Sequence, residues 1–277
     1  MSDRPIGIFD SGVGGLTVCS AIQKNLPNEN IVYIGDSARV PYGNKSPQTI
    51  IRYSQEITEY LLEQNVKMLV IACNTATTWA LKPLREIYKS FEIPIFGVIY
   101  AGSQKAVSLA QGKSIGVIGT QGTIEGQQYQ REIHRLDNQT EVHTQACPLF
   151  VSLIEENWLD GSIVEQIIRH YLDEIAQKSS YIILGCTHYP LLLPTLQRMY
   201  PNHYFIDSAQ ATAQLIATYL QENPKIKNHS IFTGSSKYLV TDNLNHFQKI
   251  GQTFLQKELN ELQRVELPHQ LQYKYEG

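Results

Sequence analysis

Short apolar runs alternate with amphipathic stretches along most of the chain. The strand-sized runs are Ile6–Phe9, Ile31–Ile34, Met68–Ala72, Ile95–Ile99, Ile115–Ile118, Val142–Gln145, Tyr181–Leu184, Tyr204–Ile206 and Ser230–Thr233. Several are apolar throughout, the pattern of strands covered on both faces. Helical periodicity lies between them. Ile163, Val164, Ile167, Ile168, Tyr171, Leu172 and Ile175 form one apolar stripe. Ser46 and Pro47 read as the N-cap and first residue of a helix carrying Ile50, Ile57 and Leu61 on one side. This alternation predicts an α/β fold of mostly parallel sheets flanked by helices.

A weak repeat organises the pattern. Ile6–Gly12 resembles Ile115–Gln121, and Met68–Thr75 resembles Tyr181–His188, at spacings of 109 and 113 positions. Both pairs fit one shift of domain size, and Cys73 and Cys186 fall in register. The chain therefore reads as two similar, pseudo-symmetric α/β domains with an active site in the cleft between them. The first spans residues 1–100 plus about 208–277, and the second spans 101–207.

Composition narrows the function. The chain has 277 residues, 42% of them hydrophobic, and a formal net charge of -3. No Lys/Arg cluster tracks a phosphate backbone, which argues against nucleic acid as the main ligand. No apolar run approaches the ~18 residues of a membrane helix, and Met1–Pro5 shows no basic, apolar export signal. The expected location is the cytoplasm. The four cysteines make no CxxC pair, so reduced thiols are expected rather than a disulfide framework or a zinc site, and no metal is anticipated.

In parallel α/β sheets, ligands gather at the carboxyl ends of strands. Asp10-Ser11, Asp36-Ser37, Cys73-Asn74-Thr75, Thr120 and Cys186-Thr187-His188 all follow apolar runs. Any one of these is most simply a turn residue or helix cap, but five groups, two centred on cysteine, point to a site. Cys19 lies in a helical pattern and reads as core, while Cys147 precedes Pro148 in a loop-like stretch. The stretch Gly12–Thr17 lacks the third glycine of a dinucleotide motif and the Lys of a phosphate loop. Its N–H groups, at a helix start, suit a carboxylate.

Two opposed thiols suit inversion at carbon. One base cannot reach both faces of a held substrate, whereas two can remove a proton from one face and deliver one to the other. A thiol whose ordinary pKa is ~8.5 is readily tuned for this work. A closing binding protein and a thiol redox protein are the competing classes. The first has no use for paired cysteines, and the second usually carries CxxC.

Six motifs, in order, carry a resemblance. They are Ile8–Thr17, Tyr33–Gly43, Ala72–Thr77, Gly119–Thr123, Cys147–Val151 and Gly185–Pro190. Together they resemble the glutamate racemases of the cofactor-independent aspartate/glutamate racemase superfamily. The resemblance implies interconversion of L- and D-glutamate, supplying D-glutamate for peptidoglycan, with no cofactor. It implies Cys73 as the acid/base acting on D-glutamate and Cys186 as the one acting on L-glutamate. Asp10 and His188 are implied as catalytic helpers, with Glu155 a third candidate. Asp10-Ser11, Tyr42-Gly43, Asn74-Thr75 and Thr187-His188 are implied to bind substrate. A homodimer is also implied. Ala101 and Ser152 stand where the family usually has proline, and Asn157 where it often has glycine. The nearest alternative is an aspartate racemase or another amino-acid racemase of the superfamily.

Overall fold

The computed structural model describes residues 3–255, 258–259 and 261–268. Among the described residues, ten strands lie in two sheets. In chain order they are β1 (Ile6–Asp10), β2 (Ile31–Gly35), β3 (Met68–Ile71), β4 (Ile95–Gly97), β5 (Ile115–Gly119), β6 (Val142–Ala146), β7 (Tyr181–Gly185), β8 (Tyr204–Asp207), β9 (Ser236–Val240) and β10 (Leu262–Arg264). The first sheet has the order β10-β9-β2-β1-β3-β4 and the second β6-β5-β7-β8. Every pairing is parallel, for example Ile6 with both Ile31 and Met68, and Ile115 with both Val142 and Tyr181. The wiring of β2-β1-β3-β4 repeats as β6-β5-β7-β8, so the sequence echo corresponds to a repeated topology. β3 and β7, each followed by a cysteine, occupy equivalent places.

Eleven α-helices connect the described strands: α1 (Leu16–Asn25), α2 (Pro47–Glu63), α3 (Asn74–Ile87), α4 (Val98–Ala110), α5 (Gln121–Glu125), α6 (Gln128–Leu136), α7 (Leu149–Glu155), α8 (Ser162–Lys178), α9 (Leu193–Met199), α10 (Ser208–Glu222) and α11 (Leu244–Leu255). The interior strands β1, β3 and β5 are buried at every position, as a sheet covered on both faces requires. The stripe on α8 buries Val164, Ile168, Tyr171, Leu172 and Ile175. Ser46 caps α2 by accepting from the Thr49 N–H at 3.3 Å, with Pro47 as its first residue. Cys19 is core.

Two elements differ from the sequence reading. Ser230–Thr233 forms no strand. Ile231 and Phe232 are 88% and 74% exposed, and the pairing partner of β2 is Ser236–Val240 instead. Here the apolar pair has no sheet face to cover. The run Ile95–Ile99 is a strand only as far as Gly97, and its last two residues open α4. Both stay buried, so burial alone could not separate the strand from the helix. Ala101 lies inside α4, Ser152 inside α7, and Asn157 has a φ of 58°, a left-handed conformation that asparagine tolerates.

Candidate active site

The carboxyl ends of β1, β3 and β7 bring the two sheets together. Asp10 ends β1 and is fully buried. Its Oδ2 accepts from the Gly12 N–H at 2.9 Å, and its Oδ1 accepts from the Thr187 hydroxyl at 3.5 Å. Gly12–Thr17 thus does meet a carboxylate, that of Asp10. Burial pushes the Asp10 carboxyl up, against the pull of His188 and of the Gly12 and Gly15 N–H groups.

Cys73 caps α3, its sulfur accepting from the Ala76 N–H at 3.4 Å, while its thiol lies 3.6 Å from Ser11 Oγ. Burial, with the nearby Asp10 charge, pushes this thiol up to about 12 despite those two bonds. Cys186 directly follows β7, and its sulfur lies 3.9 Å from His188 Nδ1. The far side of that ring, Nε2, is 3.0 Å from Glu155 Oε1 at the end of α7. The Phe254 ring of α11 packs edge-on against His188, with centroids 5.3 Å apart. Burial alone would lower the His188 pKa. Contacts with Cys186 and Glu155 outweigh it and push it up to about 10. Burial likewise pushes the Glu155 carboxyl up, and the bond to His188 with its charge overrides this, holding it below the usual range. His188 is therefore an imidazolium at neutral pH, poised beside one of the two sulfurs.

The rest of the sequence-predicted set surrounds these groups. Thr75 Oγ1 lies 2.8 Å from Thr120 Oγ1 and 3.2 Å from Thr123 Oγ1, stitching α3 to the start of α5. Gly43 sits so close to this cluster that a Cβ there would lie 3.0 Å from Thr120. The Tyr42 ring is buried, and its hydroxyl donates to Asp36 Oδ2, so it offers the site backbone rather than phenol. Asp36 and Ser37 are taken up by other protein groups. Asp36 also accepts from Arg39 Nε at 2.7 Å and Thr241 Oγ1 at 3.0 Å, and Ser37 bonds the backbone of Asp242. This pair braces the loop that carries Tyr42 instead of facing a ligand. Asn74, Thr187 and His188 are all buried. Cys147 is buried too, its thiol facing the Gln145 carbonyl at 3.7 Å.

Sequence reasoning missed Thr123 and Tyr129. Both come from helices behind the β5 end rather than from a strand terminus, so the strand-end rule had no purchase on them. Among the described residues, no group of three or more His, Cys, Asp or Glu side chains is arranged to hold a metal ion.

The profile of the Asp/Glu/Hydantoin racemase family matches residues 6–216, most of the chain, including Asp10, Cys73, Glu155, Cys186 and His188. The chain belongs to that family. A glutamate racemase of Persephonella marina is 45% identical over 263 residues, covering 95% of this chain and 97% of the relative. Among solved structures, the glutamate racemase of Francisella tularensis in complex with D-glutamate is 38% identical with a TM-score of 0.89, covering 96% of this chain and 98% of that one. A glutamate racemase isoform from Bacillus anthracis is 36% identical with a TM-score of 0.91, covering 97% and 99%. Aspartate racemase of Picrophilus torridus shares the fold at 16% identity and a TM-score of 0.57.

Proposed function

We propose that this member of the family interconverts L- and D-glutamate, with Cys73 and Cys186 as the two acid/base groups. The observation that carries the reading is the pairing of two buried thiols at equivalent strand ends of two similarly wired sheets, joined across the site by the Thr187–Asp10 bond. The full-length likeness to glutamate racemases, one of them holding D-glutamate, supports glutamate as the substrate.

The chemistry balances with the chain's own groups. One sulfur enters as thiolate and takes the α-proton, leaving its electron pair on the α-carbon, where the adjacent carboxylate delocalises it. The other sulfur enters as thiol and delivers its proton to the opposite face. The two sulfurs end with their protonation states exchanged, and the reverse reaction restores them. In this reading Cys73 acts on D-glutamate and Cys186 on L-glutamate. Asp10 meets the α-ammonium. That cation offsets the Asp10 charge that now disfavours the Cys73 thiolate. His188, cationic and held by Glu155, stabilises charge at Cys186 and can exchange a proton with it. The N-terminus of α3, with Asn74 and Thr75, receives a substrate carboxylate, helped by the helix dipole. Ser11, the Tyr42-Gly43 backbone and Thr187 complete the cradle.

The proposal includes the division into a first domain, 1–100 with about 208–277, and a second, 101–207. The separate sheets support it. It also includes a cytoplasmic homodimer serving peptidoglycan synthesis. The four free cysteines suit a reducing compartment, and no helix among the described residues is long and apolar enough to cross a membrane.

The test is incubation of the purified protein with L-glutamate in D2O, following ellipticity and α-deuterium. Loss of ellipticity with deuterium uptake, abolished in Cys73→Ala and in Cys186→Ala, is the expected result. A folded wild-type chain that exchanges nothing on glutamate rejects it. Turnover of aspartate alone would keep the mechanism and replace the substrate.

A further inference from the structure

Asn74 opens α3 beside Cys73, and its two amide atoms are treated differently. Oδ1 accepts from the Tyr129 hydroxyl at 2.7 Å. Nδ2 is buried yet has no hydrogen-bond partner among the described residues. A shielded, unmatched NH2 is costly, and turning the amide would relieve nothing at Tyr129 unless the phenol became an acceptor. Tyr129 itself is held firmly. It comes from α6, is 1% exposed, and its ring edge lies 3.2 Å from where a Cβ on Gly185, one residue before Cys186, would sit. Its hydroxyl lies near Gly102 and has Ser208 as a hydrogen-bonding neighbour.

We propose that Tyr129 is a positioning residue, fixing the Asn74 amide with its carbonyl turned away and its NH2 free to donate to a carboxylate of the amino-acid substrate. This rests on the racemase reading above. The free donor matches what a carboxylate needs at the α3 N-terminus. The opposite orientation would present a carbonyl oxygen and repel it. The bond also couples a helix of the second sheet to the cysteine-bearing end of the first, so the donor is set only when the two are apposed.

The test is steady-state kinetics in both directions, with calorimetric binding of D-glutamate. Tyr129→Phe, which keeps the ring, should raise KM and the D-glutamate Kd about tenfold while kcat changes less than about threefold, the pattern of lost ground-state binding. Asn74→Ala should do the same, and the double variant should be no worse than Asn74→Ala alone, because both changes remove one interaction. Asn74→Asp tests the orientation without touching Tyr129. With Tyr129 donating to one oxygen, the other faces the substrate carboxylate, so KM should rise well beyond that of Asn74→Ala. Tyr238→Phe removes another buried hydroxyl, one bonded to Gln23, and should leave both constants unchanged. A Tyr129→Phe enzyme with wild-type KM, losses that multiply in the double variant, or Asn74→Asp binding as well as wild type overturns the proposal. Since the wild-type chain is assayed alongside, a wild type inert toward glutamate overturns the racemase reading and this inference together, whereas an active wild type with an unaffected Tyr129→Phe overturns this inference only.

Discussion

His188 shows how a single residue is set by its surroundings. Its charge survives burial because Glu155 lies against one nitrogen and Cys186 against the other. Its folded pKa, about 10, stands above the ordinary 6.5. The sign follows: the contact contributes stability fully below about pH 6.5, and that contribution is lost as pH rises through about 10. Activity that depends on the imidazolium should have an alkaline limb in the same range. Glu155→Gln removes the carboxylate that holds the charge, so the limb should move to lower pH by about one pH unit or more. A kcat–pH profile of the variant checks this, and an unmoved limb rejects the role given to Glu155. The strand-end residues Asp10, Cys73, Cys186 and His188 were legible because a run of apolar residues announces where a parallel strand stops. Tyr129 was not, since a tyrosine in a polar helix carries no mark of what its hydroxyl will reach across the fold. Asp36 was misread for the opposite reason. It ends an apolar run, but a salt-bridged arginine three residues on claims its carboxylate.

At the scale of elements, local chemistry and tertiary pairing divide the work. The α2 cap is local: Ser46→Ala removes the acceptor for the Thr49 N–H and the donor to the Thr49 hydroxyl. It should lower stability by about 1 kcal/mol, read as a shift of the urea midpoint. A cost near zero would mean that water replaces the cap. The first eight strands were legible to within a residue or two: β1, β2, β3 and β5 are buried at every position, whereas β6 is half-buried throughout and β8 buries only Ile206. β9 and β10 were not. β9 opens on the polar Ser236-Lys237 and has only Tyr238-Leu239-Val240 as an apolar run, and Leu262-Gln263-Arg264 has little apolar signal of its own. They are strands because β2 supplies an edge for β9, and β9 in turn for β10. Ile231 and Phe232 are more apolar, yet no edge accepts them.

At the scale of the molecule, two close approaches hold distant parts in place. The turn before α1 meets the β7 end so tightly that a Cβ at Gly14 would lie 2.3 Å from Thr187 Oγ1 and 2.4 Å from His188 Nδ1. Gly14→Ala should therefore fold but displace both side chains. A misplacement of this size at a reacting centre costs about 100-fold in kcat. Wild-type turnover in a folded Gly14→Ala protein would reject that geometry. On the opposite side, Lys67 and Glu29 form an ion pair with side chains only 1% and 2% exposed, and Glu29 Oε1 also accepts from the Asn228 N–H at 2.9 Å. Lys67→Met leaves the carboxylate buried without this cation and should cost about 3–5 kcal/mol in a urea titration. A loss below 1 kcal/mol would show that the site readily takes up water.

The place of β9 between β2 and β10 bears on how the protein is made. During synthesis, everything needed for the sheet containing β5 to β8 has emerged by Asp207, while β2 still lacks its outer neighbour. The later-encoded sheet can thus close first, and the earlier one waits on the ribosome with an apolar, unpaired strand edge until Val240 has been added. A nascent chain stalled shortly before β9 should recruit chaperones at that edge, and one stalled after β10 should release them.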